Sequence, residues 1–159
     1  MSGDRHHPGH VHHNTRVGST GLPRANREPL EFHRKLPGYS PAPLIEAGAV
    51  AAKLGVGTVL IKDESDRLGL PSFKILGTSW ACYRAVAERL GGQLRSWVTL
   101  DDLAVQVRRL RPFSFAAATD GNHGRAVAWV AGMFGFDARI FVPAGASAAR
   151  IEAIESEGA

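Results

Sequence analysis

The feature that most constrains this chain is the change of hydrophobic period in its last third. FSFAAA (113–118) reads as a strand, TDGNHG (119–124) as a turn and RAVAWVAGMFG as an apolar helix; ARIFVPA (138–144) then reads as a second strand, and SAARIEAIESEGA as a helix. Strands alternating with helices of this length call for βαβ units on a parallel sheet, so the expected class is α/β. Gly158 looks like a helix cap, after which such a chain places its next strand; the sequence stops there, and truncation before the second half of the fold is expected.

The earlier segments fit the same pattern. LPGYSPAPL (36–44) is a proline-punctuated turn region. In EAGAVAAKLGVG, Ile45, Ala49, Ala52, Leu54 and Val56 predict a short helix closed by Gly55 or Gly57, and a β-branched strand follows over 58–62. After the turn RLGLPS, apolar residues at 73, 76, 80, 83 and 86 predict a helix stopped by Gly91 and Gly92. Thr99 and Asp102 form a capping-box pattern ahead of a helix with Leu103, Val107 and Leu110 on one face, ended by Pro112.

Charge and cysteine content exclude several function classes. Residues 1–35 hold six Lys/Arg and three Asp/Glu, so the total of 19 against 15 leaves 13 against 12 for the remainder. The folded part is close to neutral, and the cluster Arg108, Arg109 and Arg111 alone makes no nucleic-acid surface. Cys82 is the single cysteine, which precludes an intrachain disulfide and fits the cytoplasm. The N-terminus lacks the apolar core of a signal peptide, and AVAWVAGMFGF is too short to span a bilayer, so no membrane role is expected.

Residues 1–28 carry few large apolar groups and are expected to be a disordered tail, with the folded portion over 29–159. Within that tail HHPGHVHH places five histidines in eight positions. It contains no cysteine or carboxylate, and Pro8 and Gly9 break its spacing, so no metal site is assigned.

Two places carry chemistry. TDGNHG lies past the carboxyl end of a strand and opens a helix, where Gly121 and Gly124 allow tight turning and close ligand approach and the helix N–H groups favour an anionic oxygen. Read structurally, Asp120 and Asn122 simply cap the helix. In PSFKILG (71–77), Lys74 stands between Phe73 and the apolar Ile75 and Leu76. A lysine in such company either snorkels to water or sits partly desolvated, where its amine becomes a nucleophile able to form a Schiff base with a carbonyl cofactor.

SFK followed by an apolar residue, then GNHG on a strand-to-helix turn, resembles the pyridoxal-phosphate enzymes of the tryptophan-synthase β-subunit group (fold type II), which includes serine and threonine dehydratases. The ordered set FHRKLPGYSPAPL, VLIKDESDRLGLPSFKILG, TDGNHGRAVAW and VPAGASAARIEAI is similar to the N-terminal part of the diaminopropionate ammonia-lyases. Asp120 separates these from the dehydratases, which carry Ser or Ala before GNH. A carboxylate suits a cationic diamine substrate.

The resemblance implies a set of roles. Lys74 holds pyridoxal 5'-phosphate and acts as base on the α-proton of the L-substrate, and Asp120 is the base for the D-substrate. Asn122 bonds the phenolic oxygen of the cofactor, Phe73 packs near its ring, and Gly121 lies on the cofactor-binding turn. The implied reaction is α,β-elimination of 2,3-diaminopropionate to pyruvate and ammonia, in a family whose full-length members are homodimers. The role of His123 stays open between packing and catalysis.

The resemblance also implies that the phosphate loop, the group facing the pyridine nitrogen and a further acidic residue lie beyond residue 159. Ala42, Pro71, Ser72 and Thr78 depart from the family's pattern, Thr78 standing where a glycine is usual. The alternatives are a threonine or serine dehydratase and a non-catalytic fragment needing a complementing chain. An uncovered sheet edge and an exposed apolar helix face over 126–134 are expected of such a portion.

Overall fold

The computed structural model describes residues 26–159, so the histidine run and most of the expected tail lie outside the described residues. Helix α1 (Glu28–His33) already begins at the expected tail boundary, with a proline in its first turn and Glu28 and Glu31 at its positive end. Phe32 on α1 is buried and stacks on Tyr83 with ring centroids 4.7 Å apart.

Strand β1 (Leu44–Glu46), helix α2 (Gly48–Leu54) and strand β2 (Leu60–Lys62) follow; β1 and β2 pair antiparallel, with Ile45 opposite Ile61. This corrects the helix expected from Ile45 onward. The ladder continues through Ala47 N–H to Val59 O (2.9 Å), which holds the backbone extended until α2 can begin. Gly55, at φ 66°, closes α2 in the left-handed conformation that glycine adopts at no steric cost. The strand expected over 58–62 is shortened to β2.

Leu68 and Gly69 both take positive φ, and Arg67 and Leu70 exchange two backbone hydrogen bonds across them, a tight turn of the hairpin kind. The turn delivers the chain to α3 (Lys74–Arg89), whose buried residues are Ile75, Thr78, Ser79, Cys82 and Val86. The expected stripe is thus rotated: Phe73 is 56% exposed, while Trp80 and Tyr83 are half-buried on the side facing Phe32. On its other side α3 packs along α5, introduced below, and small residues such as Thr78, Ser79 and Cys82 let two helices approach closely.

Helix α4 (Leu100–Val107) is opened by the expected capping box. Asp102 N–H donates to Thr99 Oγ1 and Thr99 N–H donates back to Asp102 Oδ2. Leu103 and Val107 are buried, and Leu110 lies half-buried in a 3-10 turn (Arg108–Leu110) ahead of Pro112.

The last third carries the βαβ unit. Strand β3 (Ser114–Ala118), helix α5 (Asn122–Phe134), strand β4 (Asp137–Phe141) and helix α6 (Ala148–Glu155) succeed one another. Strands β3 and β4 are parallel, registered from Ser114 opposite Asp137 to Ala118 opposite Phe141. Helix α6 is capped at Ser156, two residues before the Gly158 expected to do so.

Contrary to expectation, α5 exposes no apolar face. Ala126, Val127, Ala128, Val130, Ala131 and Phe134 are all buried, because α3, α4, α6, β3 and β4 surround the helix. The open apolar surface lies elsewhere. Leu44 and Leu60, on β1 and β2, are 64% and 57% exposed, and along β3 and β4 one face is half-buried while the other, including Phe141, is open. No helix among the described residues is long and apolar enough to cross a membrane.

Candidate active site

The hexapeptide TDGNHG connects the carboxyl end of β3 to α5, and Thr119 N–H extends the ladder one residue by donating to Phe141 O (2.9 Å). Neither Asp120 nor Asn122 caps the helix with its side chain; the cap position is Gly121, whose own N–H donates to Thr119 Oγ1 (3.4 Å). The capping role is thus not taken by either residue, and among the described residues no side chain satisfies the first amides of α5. Such amides carry the positive end of the helix dipole and suit an anionic oxygen.

The two glycines of the turn differ in use. A Cβ at Gly124 would lie 3.0 Å from Ile140 Cγ2, 3.0 Å from Thr119 Cγ2 and 3.2 Å from Ile154 Cδ1, so this glycine lets α5 press onto β4 and α6 rather than admitting a ligand. At Gly121 nothing among the described residues lies within 4 Å of that position, and the backbone is open to approach.

Lys74 is the first residue of α3, and its N–H donates to Ser72 Oγ (3.3 Å). Its ammonium nitrogen lies 4.9 Å from the centroid of the Phe73 ring. Both side chains are exposed; of the flanking apolar residues Ile75 is fully buried and Leu76 half-buried. Of the two arrangements open to this lysine, the side chain takes the one that reaches water, because successive residues on a helix point roughly 100° apart and its apolar neighbours face elsewhere. Lys74, Phe73, Gly77, Thr78, Ala81 and His123 line a shallow cleft of about 300 Å³. Across it Thr78 Oγ1 and His123 Nδ1 share a hydrogen bond of 3.2 Å, which ties α3 to α5.

Asp120 lines a neighbouring cleft with Thr119, Phe141 and Pro143, and its carboxylate pairs with the guanidinium of Arg150 on α6. Asn122 is exposed at the start of α5. Lys74, Phe73 and His123 thus meet in one cleft, while Asp120 and Gly121 adjoin it only through the turn. Thr78 and Arg150 were not singled out as site residues from the sequence. Thr78 had a signal, a side chain four residues after Lys74 where the resemblance places glycine; Arg150, thirty residues from its partner, had none.

A larger cleft of about 600 Å³, lined by Phe32, Trp80, Tyr83 and Trp97 among others, includes none of Lys74, Asp120 and His123. Size is therefore a poorer guide here than chemistry. Among the described residues no cluster of His, Cys, Asp and Glu could hold a metal ion.

The family model described as "Pyridoxal-phosphate dependent enzyme" matches residues 35–159. The chain belongs to this family. It is 40% identical over 134 residues to the diaminopropionate ammonia-lyase of Salmonella typhimurium, covering 83% of this chain and 33% of that protein. Among solved structures, the apo diaminopropionate ammonia lyase of Escherichia coli superposes with a TM-score of 0.71 at 37% identity, over 82% of this chain and 35% of that one. The same Escherichia coli enzyme, in complex with an aminoacrylate-PLP azomethine reaction intermediate, gives 0.67 at 36% identity, over 82% and 31%. The chain thus spans about a third of the length of the relatives it matches, and the match supports the fold type II architecture expected of it.

The residues fit the family's cofactor on the side that this chain supplies. An aldehyde requires an accessible primary amine, and the Lys74 ammonium has no ion pair or hydrogen bond among the described residues. Phe73 offers an aromatic face beside it, and the open backbone at Gly121 lies at a helix start.

Proposed function

We propose that this chain is the lysine-bearing portion of a pyridoxal-phosphate-dependent ammonia-lyase acting on 2,3-diaminopropionate. The observation that carries the reading is the cleft in which the Lys74 amine meets His123 of the TDGNHG segment, held by the Thr78–His123 bond. The kinship with diaminopropionate ammonia-lyases supports the substrate.

Pyridoxal phosphate, when bound, supplies the electron sink that makes the α-hydrogen of an amino acid removable. Lys74 holds it through its amine and takes the α-proton of the L-substrate. Asp120 takes that of the D-substrate, and its carboxylate draws in the cationic β-amine. Asn122 donates to the phenolic oxygen, and Phe73 packs near the ring. Diaminopropionate and one water yield pyruvate and two ammonia molecules. We place the reaction in the cytoplasm, in amino-acid breakdown, with a homodimer as the working assembly.

Reduction of the chain with borohydride in the presence of pyridoxal phosphate tests the reading. Peptide mapping should find the label on Lys74 in preference to Lys35, Lys53 and Lys62, with Lys74→Ala abolishing it. A label spread evenly over the four lysines overturns the assignment. In the complete protein Asp120→Asn should abolish pyruvate release from D-diaminopropionate while sparing the L-isomer; retained D-turnover removes Asp120 as the base.

A further inference from the structure

Lys74 and Thr78 lie four residues apart on α3, so their side chains leave the helix on one face. Thr78 is 7% exposed, and its bond to His123 Nδ1 is the only side-chain hydrogen bond it makes among the described residues. In a helix a threonine hydroxyl often donates to the carbonyl one turn back; Thr78 does not, whereas Ser79 beside it donates to Leu76 O. Two arrangements satisfy the geometry. If His123 donated from Nδ1, the Thr78 hydroxyl proton would have no protein acceptor among the described residues; if Thr78 donates, only an oxygen lone pair is idle, which is the smaller cost. The hydroxyl therefore donates to Nδ1, which leaves Nε2 as the ring nitrogen that carries an N–H.

That second nitrogen has no partner among the described residues, and the ring lines the Lys74 cleft. Among the described residues the cleft's lining holds an ammonium and an imidazole and no acidic side chain, so it favours an anionic oxygen acceptor. We infer that Thr78 is a positioning residue that fixes His123 as an Nε2–H donor to a carboxylate oxygen of a ligand in the Lys74 cleft. The carboxylate as ligand rests on the function proposed above; the proton's place on the ring does not.

Imidazole ¹⁵N resonances of the full 159-residue chain separate the two tautomers, with His123 assigned by its loss in His123→Asn. The wild type and Thr78→Ser should show the Nε2–H pattern, and Thr78→Val, the same shape without the hydroxyl, should show a mixture. A wild type protonated at Nδ1, or a Val variant with the wild-type pattern, overturns the positioning role. Malonate, a carboxylate without an amine to react, should shift the His123 Nε2 resonance in the wild type and require several-fold more ligand in Thr78→Val; an unmoved resonance overturns the donor role. Failure of Lys74 to take the pyridoxal label with the tautomer pattern intact would sink the proposed function and leave this inference standing.

Discussion

The guanidinium of Arg150 on α6 pairs with the carboxylate of Asp120, on the turn between β3 and α5. The pair links this turn to α6, thirty residues on, but its side chains are 61% and 42% exposed, so solvent screening limits it to about 1 kcal/mol or less. A guanidinium on the carboxylate competes with a substrate's ammonium group for the same oxygens. Arg150→Met should therefore barely move the urea midpoint, while in the complete protein the KM for D-diaminopropionate falls a few-fold and that for the L-isomer changes less. A raised KM for the D-isomer would show instead that Arg150 is needed to position Asp120.

His33 supplies a pH dependence of stability. Its ring is buried between α1 and the start of α3, with Nε2 2.8 Å from Leu76 O. Burial lowers its pKa from 6.5; the Leu76 carbonyl opposes this and the nearby Arg67 charge reinforces it. The folded chain then binds fewer protons at His33 than the unfolded chain, so stability declines as pH falls from 6.5 towards the lowered folded value. Asp63 and Asp102 are lowered from 3.8 by hydrogen bonds, and the stability they contribute is lost only at more acid pH. The urea midpoint should decline below 6.5, and His33→Gln should flatten that first decline while leaving the acid one. An unchanged profile in the variant would mean that His33 takes up protons alike in the folded and the unfolded chain.

Cys82 reports on the packing of α3. It lies in the core with Ile75, Val86 and Val130, and burial pushes its thiol from 9.0 up to about 11. Two units mean roughly 100-fold less thiolate at a given pH, before any loss of access is counted. Reaction with a disulfide reagent at mildly alkaline pH should be at least about 100-fold slower in the native chain than in denaturant. Comparable rates would show that the core around α3 opens readily.

The βαβ unit was legible because the hydrophobic period changes twice within 30 residues, and Thr99 and Asp102 announced the start of α4. The pairing of β1 with β2 was not legible: each is three residues long and exposed throughout, so neither shows alternation, and Ile45 fitted a helical spacing equally well. On α3 the aromatic residues drew the stripe towards Trp80 and Tyr83, whereas the face against α5 uses Thr78, Ser79 and Cys82, residues that a hydrophobicity pattern passes over. Lys74 and Asp120 could be picked out from the sequence, but their surroundings could not. The exposure of Phe73, the Arg150 partner and the hydroxyl aimed at His123 all depend on how separate elements pack.

Gly124→Ala tests that packing most directly, because two effects of opposite sign meet there. Alanine in a helix is favoured over glycine by about 1 kcal/mol, and by less within the first turn, where Gly124 lies. Against this, the new methyl would stand 3.0 Å from Ile140 Cγ2 and from Thr119 Cγ2, on two separate segments of the sheet layer, and 3.2 Å from Ile154 Cδ1 on α6. Ile140 and Thr119 are β-branched and stiff at χ1, so neither methyl can rotate away without moving its backbone. Overpacking of this kind costs about 1–3 kcal/mol and exceeds the helical gain. Urea unfolding of Gly124→Ala should show a net loss of about 1–2 kcal/mol. Gly132→Ala, on the same helix with nothing among the described residues within 4 Å, should be neutral or stabilising. If both substitutions stabilise alike, α5 does not press onto the sheet as closely as the position of Gly124 requires.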